Sequence, residues 1–573
     1  MQLYRAMRGL VPVSLVAGVA LACFASRIIS RQPDEDEAGR RIRYSGGLLG
    51  RRAAPGELAL THLPVGRVMP FSPKRRPDRA GEDVQVNDPR LDHFYDFSAS
   101  ASGQLPFFCA IQSEASLAVS GPRVVVTYNS TAGVTYALDA TGKVVTTAAL
   151  IVGFSASADG GRTFRSGFLP PLPGQIETYF DNAVDVDRDG RFYAGYLAVS
   201  GPSSWGVAVS RSDDGGLTWS TPVLAASEGG IDKCWLAVGP DPAYPGQDVV
   251  YVTWTKTSSR TSPELRIARS VDGGATFSSP RGVLSSGTWS TPYVDRLTGR
   301  LYVAYGIPYS HVGLVASDDG GTTFTPLSPG VANAPNPALV PAVSPGHAGD
   351  CGWGTLGVLH AGLDVRPQGS STPRWTRSWW IGSQPFVAAH GDLVAFAWSA
   401  SSSSEYEDPA SRSRVFVIVS RDRGLTFSQP RLVHDESAAD PQHVEPSVAI
   451  DPDTRDVHVS YVVQHADETL DTELATFRES DGYASFRTTR LSSVSSTIPP
   501  TNVSLPSGTT ESYDVVGACY SLGHYMHLRA ADGLAYAAWN DARNTVTHPV
   551  NPKDPLSGQT HSQPDVFFRA VRP

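Results

Sequence analysis

Apolar and polar residues alternate along most of the chain in short runs, and these runs come in pairs joined by a turn. Alternation with a period of two predicts half-buried strands, so each pair predicts a β-hairpin. The second run of each pair ends in Tyr or Trp. Seven such ends can be found, at Tyr128, Tyr196, Trp254, Tyr305, Trp398, Tyr461 and Trp539.

A second phrase, typified by SDDGGLTW from Ser212 to Trp219, recurs after most of these pairs. Asp-Gly-Gly supplies left-handed turn conformations and the aromatic residue restarts a strand, so each copy predicts another hairpin. The aspartate can accept hydrogen bonds from turn amides, which favours a structural role. Five near-complete copies carry this residue at Asp159, Asp214, Asp272, Asp319 and Asp422, and a sixth copy, SDGYASF, is eroded.

Repetition at a spacing of several tens of residues is typical of repeat architectures. Joining each strand pair to the hairpin that follows gives a four-stranded antiparallel unit, as in a propeller blade. The 54 Gly and 44 Pro residues agree with many turns and few helices. We predict an all-β protein, a β-propeller with seven blades, or six if the last unit folds into the first blade.

The two ends of the predicted propeller differ in composition from its body. Arg5 and Arg8 precede an apolar run that ends near Ala20-Leu21-Ala22, which predicts a signal peptide over residues 1–26. Residues 27–106 read as a low-complexity leader or linker. The propeller is expected over 107–573, with an insertion at 331–379 that fits no strand pair.

Export predicts a secreted or periplasmic protein, and the excess of arginine over lysine suggests a GC-rich bacterial source. Cys23 would be the first mature residue and could carry a lipid anchor at the outer surface; an ordinary cleavage site is the alternative. The net charge of −9 makes nucleic acid a poor partner.

Four cysteines follow the signal region, an even number for an oxidising compartment. Cys109 and Cys519 each precede the first strand of blades that become neighbours when the ring closes. A bond between them would clasp the ring and leave Cys234 to pair with Cys351. The alternative is four unpaired thiols.

The five phrases resemble the Asp-box, or bacterial neuraminidase repeat, of sialidases and other secreted propellers of the sialidase superfamily. The resemblance covers roughly residues 107 to 573 and implies a propeller whose boxes lie on outer hairpins, away from the central pocket. It also implies glycan chemistry, which in sialidases uses three arginines, a Tyr nucleophile with a Glu, and an Asp acid. This chain has no Arg-Ile-Pro motif, and LPFFCAIQSEASLAV, where it should stand, contains no arginine. Sialidase catalytic domains are also six-bladed, so no catalytic residue is carried over.

The loops of all blades converge at the centre of a propeller, where the first strands begin. Aligning the seven first strands brings several ionisable side chains to one position. We predict acid and base roles for Glu114, Asp181 and Glu445 and a nucleophilic role for Tyr525. The predicted substrate-binding residues are Tyr179, Asp232, Lys233, Trp289, His443 and His524. The alternative is that these residues only bond to loops or face channel water.

No cofactor is required by this chemistry, although several carboxylates could hold Ca²⁺. DVDRDG at 185–190 resembles the start of a calcium loop, but Tyr196 stands where the bidentate Glu should fall, so a hairpin turn is favoured. We expect an exported propeller that acts on or binds extracellular glycans, an exo-glycosidase if it is catalytic. The alternative is a non-catalytic surface or periplasmic scaffold whose partner is a cell-surface protein.

Overall fold

The computed structural model describes residues 44–45, 65–67, 82–92, 94–95, 111–142, 144–201, 204–257, 263–307, 311–327, 357–364, 374–381, 384–401, 412–435, 442–497, 503–504, 510–511, 523–547, 558 and 560–573. The predicted signal peptide with Cys23, most of the insertion, and Cys109, Cys351 and Cys519 lie outside these residues.

The described chain is almost entirely strand. The first strands are β1 (Tyr44–Ser45), β2 (Val84–Gln85), β3 (Phe94–Tyr95), β4 (Gln112–Ser120), β5 (Arg123–Ser130), β6 (Val134–Leu138), β7 (Val144–Leu150), β8 (Val152–Ser157), β9 (Arg165–Phe168), β10 (Glu177–Thr178), β11 (Ala183–Val186), β12 (Phe192–Gly201), β13 (Ser204–Ser212) and β14 (Val223–Glu228). The middle strands are β15 (Ile231–Pro240), β16 (Asp248–Lys256), β17 (Glu264–Ser270), β18 (Arg281–Leu284), β19 (Thr288–Val294), β20 (Leu301–Ile307), β21 (His311–Ser317), β22 (Thr325–Leu327), β23 (Gly357–Asp364), β24 (Arg374–Ile381), β25 (Phe386–His390), β26 (Leu393–Ser401), β27 (Ser413–Ser420) and β28 (Arg431–Leu432). The last are β29 (Gln442–Ile450), β30 (Val457–Gln464), β31 (Thr469–Phe477), β32 (Phe486–Arg490), β33 (Ser496–Thr497), β34 (Val503–Ser504), β35 (Thr510–Glu511), β36 (His527–Ala531), β37 (Leu534–Thr547) and β38 (Thr560–Val571). Within the described residues the helical segments are two short 3₁₀ turns, Thr131–Gly133 and Glu479–Asp481.

Four separate four-stranded sheets have the order expected of propeller blades: β4-β5-β8-β9, β15-β16-β17-β18, β19-β20-β21-β22 and β2-β38-β37-β36. The protein is therefore an all-β propeller, as the repeats predict. A seven-stranded sheet contains β10 to β14 together with the β6–β7 hairpin. A nine-stranded sheet contains β25 to β28 and β29 to β33, which meet through a parallel pairing of Ser413 with Gln442.

The core lies between the faces of neighbouring sheets. The aromatic residues that end the second strands are buried, and Trp254, Trp398 and Trp539 have no exposed surface. Their neighbours are mostly Val, Ala and Leu at every second position, as period-two patterning requires. Burying such side chains contributes about 1.5 to 3 kcal/mol each, which makes this packing the main source of stability.

The last sheet takes its outer strand from the other end of the chain. Val84 and Gln85 pair with Phe568 and Phe567, and Val86 is buried. Asn87 donates to Asp565 at 2.7 Å and Asp83 pairs with Arg543 at 2.7 Å. The strand Val84–Gln85, which falls inside the predicted leader or linker, is therefore part of the sheet.

The recurring phrases form braced turns. In each of the five copies the aspartate accepts a hydrogen bond from the Ser two residues before it and from the Thr four residues after it; for Asp214 these bonds measure 2.9 and 2.6 Å. Paired glycines supply the left-handed backbone, with φ of 81° at Gly215 and 87° at Gly216. The second glycine also touches the adjacent sheet: a Cβ at Gly216 would lie 2.5 Å from Val125.

Candidate active site at the propeller centre

Five first strands contain a residue with the same unusual backbone conformation near their start. Glu114, Asp181, Lys233, Trp289 and Glu445 all have φ between 51° and 58°, although none is glycine. Each lies two residues before the residue at which regular pairing of its strand resumes, so an unpaired bulge aims the side chain. Non-glycine residues rarely adopt this conformation, and such strain clusters at functional sites.

A network of charged groups joins three of these positions. The Lys233 ammonium lies 3.7 Å from Asp181 Oδ1 and 3.2 Å from His524 Nδ1. His524 Nδ1 is 3.2 Å from Glu114 Oε1, whose other oxygen accepts a hydrogen bond from Asn129 at 2.7 Å. The side chains of Lys233, Asp181 and Glu114 are at most 3% exposed. The predicted residues from the first, second, third and last sheet units thus do meet.

The pKa values of the two predicted glutamates are shifted in opposite directions. Burial raises the pKa of the Glu114 carboxyl, but the charge of Lys233 and the contacts with His524 and Asn129 outweigh it, and the net pKa lies below the usual value. Burial raises the pKa of Glu445 well above its usual value, and the negative charge of Glu114 raises it further. The pKa values of two acids at the centre are therefore pushed apart.

The two aspartates beside Lys233 are also perturbed. Burial raises the pKa of Asp181 despite the charge of Lys233, and burial together with the Asp181 charge raises the pKa of Asp232 well above its usual value. Oxygens of both residues accept the backbone N–H of Lys233, at 2.7 and 2.9 Å. These bonds fix the bulge that carries the lysine.

Tyr525 occupies the aligned position of the last sheet, but its environment does not suit a nucleophile. Its hydroxyl donates to the Asn182 carbonyl at 3.0 Å, and the residue is 1% exposed. Burial, and then the charges of Glu114 and Asp181, raise the pKa of Tyr525 well above its usual value. Its ring packs edge-on against Trp235 with a centroid distance of 4.9 Å.

The ring of Trp235 packs at the centre of the propeller, next to the charged network. Its ring also contacts Phe386 at 5.5 Å and His527 at 5.4 Å, so aromatic side chains from three sheets meet across the middle of the propeller. Burial lowers the pKa of His527 well below its usual value. A neutral aromatic layer therefore supports a charged one.

The remaining predicted ligands pack against other side chains. Tyr179 packs on Trp205 at 4.1 Å between ring centroids, and burial followed by the charges of Glu177, Asp232 and Asp181 raises its pKa. Trp289 belongs to the core between the β19 and β25 strand groups. His443 stacks on His434 at 3.5 Å, and burial followed by the charge of His434 lowers the pKa of His443 to about 2.

Two asparagines that the sequence did not single out tie the site together. Asn182 Nδ2 donates to the Glu114 carbonyl and to Asn129 Oδ1, both at 3.1 Å. Asn129 in turn holds Glu114. The only sequence signal for Asn182 is its place directly after Asp181, in the bulge.

Cys234 is a buried free thiol, and Cys351, its predicted partner, lies outside the described residues. Cys234 stands in the bulge, where Sγ donates to the Asp181 carbonyl at 2.7 Å. Burial, followed by the charges of Asp181 and Asp232, raises the pKa of Cys234 well above its usual value. The thiol therefore packs as a small apolar group.

In the part of the chain that the structure describes, no group of three or more His, Cys, Asp or Glu side chains is placed to hold a metal ion. DVDRDG forms a turn in which Asp187 accepts the backbone N–H groups of Asp189 and Arg191, both at 2.9 Å. No helix among the described residues is long and apolar enough to cross a membrane.

No protein-family model matches the chain, and no curated protein matches it significantly in sequence. Solved structures that resemble it include a protein of unknown function from Dyadobacter fermentans, with 13% identity, a TM-score of 0.35, and coverage of 68% of this chain and 94% of that one. The Hadza microbial sialidase Hz136 has 14% identity, a TM-score of 0.36 and 75% coverage of each chain. The Trypanosoma rangeli sialidase in complex with 2,3-difluorosialic acid has 13% identity, a TM-score of 0.35, and coverage of 70% of this chain and 57% of that one. The repeats predict a sialidase-like fold, and sialidases are among the solved structures that the chain resembles. The sequence identities and TM-scores are too low to transfer any residue of a site.

Proposed function

We propose that this chain is an exported, seven-bladed, sialidase-like propeller that recognises glycans at its centre and hydrolyses a terminal glycosidic bond there. The observation that carries the proposal is the pair of buried central glutamates whose pKa values are shifted in opposite directions, upward at Glu445 by burial and downward at Glu114 by Lys233, His524 and Asn129. Glycoside hydrolysis needs one carboxylic acid and one carboxylate, and environments that push two pKa values apart mark such a pair. Glu445 would protonate the leaving oxygen and Glu114 would act as base or stabilise positive charge.

The other charged groups suit this assignment. Lys233 and His524 hold Glu114 in its ionised form and could bind an acidic sugar or a hydroxyl group. Tyr525 is removed from the predicted catalytic set, because its hydroxyl is bonded to the backbone. Seven blades follow if the larger sheets each contribute their four-stranded meanders, β11 to β14, β25 to β28 and β29 to β32.

A second function, that of a non-catalytic scaffold for cell-surface proteins, is favoured by the burial of the same residues. Glu114, Asp181, Lys233 and Glu445 are 1 to 3% exposed. In addition, no described arginine forms an ion pair with these carboxylates, whereas sialidase chemistry calls for an arginine cluster. A lipid anchor at Cys23 would suit either function.

The test is hydrolysis of fluorogenic sialic acid and other glycosides by the full mature chain, with Glu445→Gln and Glu114→Gln variants. We expect turnover by the wild type and a loss of about 100-fold or more in either variant. Glu479→Gln is the matched control, because Glu479 lies in an outer turn bonded to Arg455 and should leave the rate unchanged.

If no glycoside is turned over, binding to a glycan array separates the remaining alternatives. Binding that Lys233→Met abolishes would retain a glycan-binding site at the centre without catalysis. Absence of both turnover and glycan binding would leave the scaffold.

A further inference from the structure

A small buried cavity lies beside the central site, between the strand group β29 to β31 and strand β37. Glu445, Asp471, Ser496 and Asn540 are among its lining residues. The space open to the centre of a water molecule is about 10 Å³, and roughly that volume accommodates one water. The cavity is thus large enough for one water molecule.

Two polar atoms of the lining residues have unmet hydrogen-bonding capacity. Asn540 Oδ1 and Ser496 Oγ have no hydrogen-bond partner in the described part of the chain, although these residues are only 5% and 2% exposed. The amide of Asn540 is oriented by its Nδ2, which donates to the Tyr525 carbonyl at 3.3 Å. Leaving a buried polar atom without a hydrogen bond is unfavourable, so these groups favour a bound water.

Asp471 connects the same cavity to the surface. Its carboxylate accepts hydrogen bonds from Ser492 at 2.8 Å and from Arg490 at 2.6 Å. It also lies 2.9 Å from Nε2 of His465, whose side chain is 30% exposed. The other acid in the lining, Asp541, is held by Arg543 and by the indole N–H of Trp539.

We infer that this cavity binds one water molecule through which Glu445 exchanges its proton with solvent by way of Asp471 and His465. In the outward direction the Glu445 hydroxyl gives its proton to the water, which passes one of its own to Asp471. Asp471 transfers a proton to neutral His465 at Nε2, and the imidazolium releases one from Nδ1 to solvent. Return of a proton along the same groups restores the acid. The titratable and charged groups that face Glu445 and Asp471 are Glu114 on one side, Arg490 and His465 on the other, and Asp541 with its partner Arg543 in the cavity lining.

The exchange is independent of any substrate, so its test does not depend on the proposed hydrolysis. The infrared band of the buried Glu445 carboxylic acid is followed in the full chain after transfer into D₂O, and Glu445→Gln identifies the band by removing it. Asn540→Leu, which replaces the amide with an apolar group of similar size, should slow exchange by roughly tenfold or more. Asp471→Asn should have the same effect.

Asp456→Asn is the control, because Asp456 is a buried acid at the other end of the same strand group, bonded to the backbone of Glu479. Ser496→Ala provides a milder change should Asn540→Leu fail to fold. Unchanged exchange in folded Asn540→Leu or Ser496→Ala together with Asp471→Asn would overturn the inference. So would a high-resolution crystal structure without water density between Asn540 and Ser496.

Discussion

At the scale of single residues, the central lysine is a buried charge surrounded by other ionisable groups. Lys233 is 97% buried and stands between Asp181 and His524, with Glu114 beyond. Oδ1 of Asp181 has no hydrogen bond within the described residues, so the lysine charge is its main compensation. Removing one member of a buried ion pair leaves the others uncompensated.

We therefore expect Lys233→Met to lower the free energy of unfolding by about 3 to 5 kcal/mol. The matched control is Lys256→Met, because Lys256 belongs to the next strand, is 32% exposed and lies 3.7 Å from Glu228. An exposed pair contributes about 0 to 1 kcal/mol, so the control should change little. Urea denaturation measures the free energy of unfolding of both variants. Equal losses would show that the buried ion pair of Lys233 stabilises the fold no more than the exposed pair of Lys256.

Glu445 gives a prediction about pH. Burial raises its pKa in the native state, so the folded protein binds a proton that the unfolded chain releases above about pH 4.3. Wild-type stability should then fall, relative to Glu445→Gln, as the pH rises from that value through the native pKa. Denaturation at about pH 4 and about pH 8 tests this, and a constant difference between the two proteins would mean that folding does not shift the pKa of Glu445.

At the scale of elements, the Asp-box turns do more than connect two strands. The carboxylate, serine and threonine brace each turn internally, while the second glycine packs against a neighbouring sheet. Arginines extend this contact: Arg211 and Arg269 donate to the Gly273 and Gly320 carbonyls of the following boxes. Each box is thus a joint between blades.

The first box offers a test within one turn. Gly160 and Gly161 both have left-handed backbones, with φ of 74° and 84°, so alanine costs about 1 to 2 kcal/mol at either. A Cβ at Gly160 meets nothing within 4 Å, whereas one at Gly161 would overlap the ring of Phe568. Gly161→Ala should therefore cost about 1 to 3 kcal/mol more than Gly160→Ala in thermal unfolding. Equal costs would limit the role of the box to its own hairpin.

The strands and turns could be predicted from the sequence because period-two alternation and Asp-Gly turns are local signals. The alignment of first strands brings Glu114, Asp181, Lys233 and Glu445 to one position, and in the structure these residues share one backbone conformation. Their asparagine partners could not be predicted, since Asn182 meets Glu114 across 68 positions of sequence and no local pattern encodes that contact. The same holds for the bond from Cys234 Sγ to the Asp181 carbonyl, which depends on the bulge.

At the scale of the whole molecule, the ring is closed in the last sheet, where the early strand β2 pairs with the final strand β38. Val84–Gln85 complete the last sheet, and Asp83 and Asn87 add an ion pair and a hydrogen bond. The Arg543 guanidinium lies between Asp83 and Asp541 and over the ring of Phe567 at 3.9 Å. This closure is built from charged groups as well as backbone pairing.

A chain shortened to begin at residue 93 should be markedly less stable than one that begins at residue 82. Loss of the buried Val86 side chain alone removes about 1.5 to 3 kcal/mol, and Asp565 and Arg543 lose partners in addition. Urea midpoints of the two forms measure the difference. Identical midpoints would mean that the edge strand adds nothing to the ring.

The same closure sets an order of events during synthesis. The segment that contains Asn87 is made early, yet its partner Asp565 lies 478 residues later, so the segment must wait for nearly the entire chain to appear. Until then the growing protein carries two open sheet edges, each able to pair with another molecule. The risk of aggregation is therefore greatest in the interval before the last strand is made. A chaperone that shields strand edges would act during that interval.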